Sequence, residues 1–362
     1  MKKLILAVIV VLLIFPLKVS ALSAECAIVM DQDSKRVLFE KNMDKEKLIA
    51  STTKIMTAVI ALEYGDLDTL VEVGDEVLKA YGSAIYIEVG EELTLKDLLY
   101  GLMLRSGNDA AIEIAYAVAG NMESFVHLMN EKAKDLGMKN TIFYNNHGLE
   151  ENSGVGNTST VYDMALLMSY ANTIEEFKEI TSTKEYTVRS NYKTYIWPNK
   201  NKLLKIYKYA TGGKTGYTEK AKRTLVTSAT KDDKNLIVVT FNDGNDFNDH
   251  MNLYEDYFNA YESVEVINKD TYEINDEYYN GNLFVNKSFR VLAKEEEKDA
   301  ISTNVVLNKV KDYVDGECVG YVEVKIGDEV VEKLSVYVRK NEEKGEKQGF
   351  FKRLISFLQF WK

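Results

Sequence analysis

Residues 50–58 read Ala-Ser-Thr-Thr-Lys-Ile-Met-Thr-Ala, and the apolar pattern continues to Tyr64. This stretch constrains the fold more than any other. It predicts a helix from Ser51 to Tyr64, buried on one side, with a serine and a lysine in its first turn. Positions i and i+3 share a helix face, so Lys54 is placed beside the Ser51 hydroxyl. Burial lowers a lysine's pKa, and a neutral amine next to a weak serine nucleophile is a base in working position. The free N–H groups and positive dipole end of a helix start also suit a developing oxyanion. Serine and lysine at this spacing recur by chance in many proteins, so the remaining chain has to supply the partners.

A second constellation is Ser106-Gly107-Asn108. It interrupts a helical run predicted to begin at Thr94, where Asp97 three residues on completes a capping box, and to cover Leu98 to Leu104. Gly107 most easily accepts the tight turn that presents both neighbours. A hydroxyl there can relay a proton, and an amide can hold a carbonyl and orient Lys54. A purely structural reading is also open, with Ser106 capping the next helix and Asp109 as the box acid. The third constellation is Gly212-Gly213-Lys214-Thr215-Gly216-Tyr217, followed by a strand over 223–230. Its glycines let a ligand approach the backbone, and Lys214 with Thr215 can bind a carboxylate. It lacks the GxxxxGK[ST] spacing and the following helix of a phosphate loop. His127 reads as a surface or packing residue of a helix over 122–136. His147, in a turn-rich loop, reads as structural and near the site.

The rest of the chain frames these motifs. Cys26 to Met30 and Arg36 to Glu40 read as an opening hairpin, Thr69 to Val73 and Ile85 to Val89 alternate, and a helix is expected over 160–172. After a strand at 235–241 and a polar loop ending at His250, Met251 to Tyr261 reads as a closing helix. From Val264 onward short alternating runs predict a small β-sandwich to residue 340 without a catalytic cluster.

Both ends carry targeting signals. Lys2-Lys3, an apolar run from Leu4 to Phe15 and small residues at 20–24 form a leader, with cleavage after Ala21 or Ala24. An uncleaved membrane anchor is the alternative, although the run is short for a span. Glu25 before Cys26 is a poor match to a lipoprotein signal. The distant Cys26 and Cys318 give no local warrant for a disulfide. The formal charge of -11 becomes more acidic once Lys2, Lys3 and Lys18 are removed, which disfavours nucleic acid as a partner. At the other end, 341–348 is a polar linker. Residues 349–362 put phenylalanine, leucine, isoleucine and tryptophan on one helical side and Lys352 and Arg353 on the other. That segment suits an interfacial anchor on anionic lipid, with packing onto the protein's own body as the alternative.

Ser-x-x-Lys at 51–54, Ser-x-Asn at 106–108 and Lys-Thr-Gly at 214–216, in this order, resemble penicillin-binding proteins and serine beta-lactamases. Within that superfamily the chain looks like the low-molecular-mass serine-type D-alanyl-D-alanine carboxypeptidases, a likeness that includes His147-Gly148-Leu149 and Tyr217-Thr218. The resemblance implies an α/β transpeptidase-like fold, an antiparallel sheet flanked by helices, over 25–262. A leader at 1–24, a β-rich domain at 264–340 and a membrane-anchoring helix at 349–362 would complete the chain. It implies attack by Ser51 on the penultimate carbonyl of peptidoglycan stem peptides ending in D-Ala-D-Ala. Lys54 would be the base, and Ser106 with Lys214 would pass a proton to the leaving D-alanine. Asn108, Lys214, Thr215, Gly216 and Tyr217 would bind substrate, the oxyanion resting on the N–H groups of Ser51 and Tyr217. Beta-lactams would acylate Ser51, and neither a metal nor a cofactor is implied. A beta-lactamase or an inactive penicillin-binding wall sensor are the alternatives. Three departures stand out: Thr211-Gly212 where the family has Asp-Gly, Ala221-Lys222 where it has Ala-Gly, and no arginine within 246–250.

Overall fold

The computed structural model describes residues 22–151 and 153–340. Most of the leader, the linker and the amphipathic tail lie outside them. The described chain divides into two compact units: 22–30, 37–230 and 236–256 in the first, 31–36, 231–235 and 257–340 in the second.

The first unit is built on a five-stranded sheet in the order β2-β1-β5-β4-β3. Its strands are β1 (Cys26–Asp31), β2 (Val37–Lys41), β3 (Ala210–Thr218), β4 (Lys222–Lys231) and β5 (Lys234–Phe241). The expected hairpin is present, β1 against β2 antiparallel, and β4 pairs antiparallel with β3. Since β3 ends the sheet, one side of the Lys-Thr-Gly strand is left to face the helices.

The helices are α1 (Lys54–Tyr64), α2 (Leu95–Tyr100), α3 (Asn108–Ala119), α4 (Met122–Asp135), α5 (Val161–Ala171), α6 (Glu175–Ser182), α7 (Leu203–Ile206) and α8 (Asp246–Ala260). Residues 54 to 61 of α1 are all buried, so its first two turns are enclosed on every side rather than on one face. Its apolar side chains join those of α2 to α6 and of β1, β4 and β5 in one core, exemplified by Ile55, Leu98, Ile114, Phe125, Leu167, Val226 and Val239. The capping box at Thr94 forms as expected, with Asp97 N donating to Thr94 Oγ1 at 3.1 Å and Thr94 N to Asp97 Oδ2 at 3.1 Å. Thr160 likewise caps α5. Two expectations give way. The alternating run at 85–89 forms no strand, because Asp109 takes the N–H groups of Ile85 and Tyr86 that a neighbouring strand would need. The loop at 246–250 is the first turn of α8, where Asp246 and Asp249 sit at the positive end of the helix.

The second unit holds β6 (Glu262–Ile267), β7 (Leu283–Val285), β8 (Phe289–Ala293), β9 (Ile301–Leu307), β10 (Glu317–Ile326) and β11 (Glu329–Val338). A β6-β8 ladder and a four-stranded sheet in the order β7-β11-β10-β9 share one apolar core of Ile267, Phe289, Val291, Val322, Val324 and Val336. Alternate burial along β10 and β11 is what the sequence alternation predicts.

Candidate active site

Ser51 lies in a short 3-10 turn, Ala50–Thr53, that runs directly into α1. Lys54, fully buried, reaches three groups through Nζ: Ser51 Oγ at 3.2 Å, Asn108 Oδ1 at 2.7 Å and the His147 carbonyl at 2.7 Å. Asn108 is itself fixed, since Nδ2 donates to the Tyr81 carbonyl at 2.6 Å and its N–H to the Ser83 carbonyl at 2.7 Å. Its amide oxygen is therefore aimed at Lys54. Burial, and after it the charges of Lys214 and Lys200, hold the Lys54 amine well below the usual lysine range.

A neutral amine has two N–H bonds and one lone pair. Asn108 Oδ1 and the His147 carbonyl can only accept, so they take the two protons. The lone pair then faces the Ser51 hydroxyl. That is the arrangement of a general base and its nucleophile.

Ser106 follows a π-helical turn over 101–105, and it is Ser106, at φ 65°, that adopts the left-handed conformation. Gly107, with φ -60°, does not. The strain of a non-glycine residue there is of the kind found where a side chain must be presented. The capping reading of Ser106 is also displaced: Gly107 is the N-cap of α3 without a side-chain bond, and Asp109 serves the 85–87 loop instead. Lys214 Nζ donates to Ser106 Oγ at 3.1 Å and to the Thr215 carbonyl at 2.8 Å. Burial first, then the charge of Lys200, brings the Lys214 amine down to about 7.

Close backbone packing sets these parts together. A Cβ at Gly216 would stand 3.0 Å from Ser51 N and 2.4 Å from Thr224 Oγ1, so glycine is what lets β3 run against the nucleophile's turn. At Gly148, φ 91°, a Cβ would stand 1.9 Å from the Ala50 carbonyl oxygen. This explains the position of His147, whose backbone carbonyl is what it contributes. The ring accepts from Leu149 N through Nδ1 at 3.1 Å, and burial above all lowers its pKa to about 3. It stays neutral and structural, as the loop suggested.

The structure brings Ser51, Lys54, Ser106, Asn108 and Lys214 into one cluster, and a cavity of about 370 Å³ opens over Ser51, Ser106, Thr215, Gly216 and Tyr217. Six residues on its wall were not foreseen: Ser83, Lys200, Lys202, Arg223, Asp246 and Phe247. Lys200 donates to Ser83 Oγ at 3.3 Å, and Arg223 of β4 forms a two-pronged ion pair with Asp246. Lys200 stands between Asn199, which donates to the Thr183 carbonyl at the end of α6, and Asn201, which accepts from Leu203 N at the start of α7, and only that framing hinted at it. The segment without an arginine is thus where Asp246 meets Arg223. Lys222, at the position of the family's glycine, keeps a left-handed φ of 61°. Thr211 is exposed, with its hydroxyl 2.8 Å from Ser228 Oγ. Among the described residues no group of three or more histidine, cysteine, aspartate or glutamate side chains is arranged to hold a metal ion.

A serine, a buried lysine whose pKa burial lowers and a second serine–lysine pair beside an edge strand define a serine acyl-transfer enzyme of the penicillin-binding fold. The family model described as D-alanyl-D-alanine carboxypeptidase matches residues 15–245, and the chain belongs to that family of serine peptide hydrolases. It is 38% identical over 224 residues to the D-alanyl-D-alanine carboxypeptidase DacF of Bacillus subtilis, a match spanning 60% of this chain and 57% of that protein. To DacC of Escherichia coli it is 31% identical over 363 residues, 93% of this chain and 88% of that one. The fold is that of penicillin binding protein 5 from Haemophilus influenzae, at a TM-score of 0.73 and 24% identity over 88% of this chain and 97% of the other.

Proposed function

We propose that the chain removes the terminal D-alanine from peptidoglycan stem peptides through an acyl-enzyme on Ser51. The observation that carries this is the geometry at Lys54 Nζ, 2.7 Å from each of two acceptors, Asn108 Oδ1 and the His147 carbonyl, and 3.2 Å from the Ser51 hydroxyl. Ser51 Oγ adds to the carbonyl carbon of the penultimate residue as its proton passes to Lys54 Nζ. The N–H groups of Ser51 and Tyr217 are assigned to the oxyanion, a reading supported by the close approach of β3 to Ser51 N at Gly216. Collapse breaks the C–N bond, and the amine of D-alanine takes a proton relayed through Ser106, whose hydroxyl is bonded to Lys214. Water then attacks the ester, returning Ser51 and releasing the shortened peptide. Beta-lactams enter by the same attack and remain as slowly hydrolysed esters.

Purified protein should release D-alanine from a diacyl-Lys-D-Ala-D-Ala peptide and be labelled by fluorescent penicillin, while Ser51→Ala does neither. Turnover by Ser51→Ala at the wild-type rate would overturn the mechanism. The lifetime of the penicillin ester separates a carboxypeptidase from a beta-lactamase.

The protein acts, in this reading, on the outer face of the cell membrane. No helix among the described residues is long and apolar enough to cross a membrane. Attachment is assigned to 349–362, whose aromatic and basic sides match an interfacial helix. Deleting that segment should move the protein from the membrane to the soluble fraction, and unchanged fractionation would refute the assignment. Cleavage of the leader before Leu22 is favoured over cleavage after Ala24. Ser23 N donates to Asp249 Oδ2 at 2.8 Å, its hydroxyl bonds to Asp243 and Asp249, and Ala24 is buried. The intact mass of the exported protein distinguishes the two ends.

A further inference from the structure

The second unit leaves one border of its sheet open. The four-stranded sheet runs β7-β11-β10-β9, so β7 and β9 are its borders. β7 has only three residues, but β9 has seven, Ile301-Ser302-Thr303-Asn304-Val305-Val306-Leu307. Sheet borders are ordinarily guarded by shortness, charge, proline or a bulge. β9 has none of these. It carries no charged residue, and its register against β10 is unbroken from Ile301 to Leu307, whereas that of β10 against β11 shifts twice.

The ladder fixes which groups face the open border. Asn308 N donates to the Val319 carbonyl at 2.8 Å, and Gly327 N to the Ala300 carbonyl at 2.9 Å. In an antiparallel pair such bonds recur at every second residue, so Ser302, Asn304 and Val306 turn their backbone groups to β10. Ile301, Thr303, Val305 and Leu307 turn theirs outward, where among the described residues no strand lies beside them. The side chains of these four share a face with Ile326, Val324, Val322 and Gly320 of β10. That apolar face is unfinished: Val322 and Val324 are fully buried, yet Val305, opposite Val322, is 37% exposed.

Whatever completes this sheet must bring backbone groups at every second position and apolar side chains on one face. β9 itself meets both needs. Two copies set antiparallel about a two-fold axis at Asn304 pair Thr303 with Val305 and Ile301 with Leu307, all residues with outward groups. The same alignment matches the flanks. Asp299 precedes the strand by two residues and Lys309 follows it by two, so each stands opposite the other of the second copy. Both are exposed, and neither has an ion-pair partner among the described residues. We propose that β9 is a homodimer interface, joining two copies of this chain border to border in one continuous sheet. The surface is self-complementary, as a closed two-fold contact requires. An uncharged strand also lets two copies of an acidic chain meet with no like charges opposed along it.

Sedimentation of the chain without its leader, in mild detergent and with the tail present, tests this. The wild type should show a monomer–dimer equilibrium below about 100 µM, as expected of a small interface. Val305→Lys charges the open border and should weaken association at least about 10-fold. Asp299→Lys and Lys309→Asp should each weaken it less, and the two together should restore it. Penicillin acylation of Ser51 and Tm should stay unchanged throughout, which separates lost pairing from lost folding. Asn304→Cys in a Cys318→Ser background reads the register. At a non-hydrogen-bonded pair on the axis the two Cβ atoms stand about 5 Å apart, so mild oxidation should cross-link the copies. Ser302→Cys, opposite Val306, should not cross-link. A wild type that stays monomeric would overturn the assignment. So would a dimer indifferent to Val305→Lys, which would place association in the tail, or cross-linking through Ser302→Cys in place of Asn304→Cys.

Discussion

Replacing Asn108 by aspartate tests the base assignment directly. The two side chains are nearly isosteric, and Asn108 Oδ1 lies 2.7 Å from Lys54 Nζ. Asn108→Asp would place a full negative charge where a neutral acceptor now stands. An opposite charge at this distance raises an amine's pKa by about one to three pH units. Each such unit is a tenfold fall in the neutral amine on the acid side of the titration. Acylation of Ser51 by fluorescent penicillin should therefore drop about 10- to 1000-fold at pH values below the shifted limb and recover above it. The variant also loses the Nδ2 donor to the Tyr81 carbonyl, a loss that is the same at every pH. The assay is the second-order acylation rate between about pH 5 and 10, with the acid limb compared in the two proteins. A uniform loss with the limb unmoved would refute the reasoning, because the titrating base would then lie elsewhere than Lys54.

Two further predictions concern the scaffold. Lys222 holds φ 61°, a conformation that costs a non-glycine residue about 1–2 kcal/mol, part of which glycine returns through its freer unfolded chain. Lys222→Gly should raise Tm by about 2 °C in calorimetry, and a lowered Tm would show that the lysine side chain earns its place by contacts. Glu113 of α3 is buried, its Oε1 without a partner among the described residues, and burial followed by the charges of Glu76 and Asp109 raises its carboxyl to about 7. A raised carboxyl favours the folded state fully below its unfolded value near 4.5, and that contribution is lost as pH rises through 7. The loss is about 3 kcal/mol, so Glu113→Gln should flatten stability between about pH 5 and 8 in urea titrations, and an unchanged slope would count against it.

The chemistry was legible where it depends on local spacing. Ser51 and Lys54 are one helical turn apart, Ser106 and Asn108 bracket one glycine, and Lys214 to Tyr217 are consecutive on one strand, so each motif is formed by its own segment. The capping box at Thr94 and the alternation of β10 and β11 were readable for the same reason. Local reading failed where a distant partner decided the backbone. Residues 85–89 alternate like a strand, but Asp109, more than twenty positions away, takes their N–H groups. Gly107 looked like the turn residue, yet the bond of Ser106 to Lys214 accompanies a left-handed φ at the serine.

By itself, then, the sequence determined which side chains could act as nucleophile, base and carboxylate receptor, because hydroxyl, amine and glycine placement is a property of short segments. Only the tertiary structure decided which way they act. Lys54 Nζ is held beside Ser51 because Asn108 and His147, 54 and 93 residues away, bind it with their side-chain and backbone oxygens. Arg223 is held at the cavity wall because Asp246, 23 residues on, accepts from its Nε and Nη2. Direction and charge state come from partners that meet only in the folded chain.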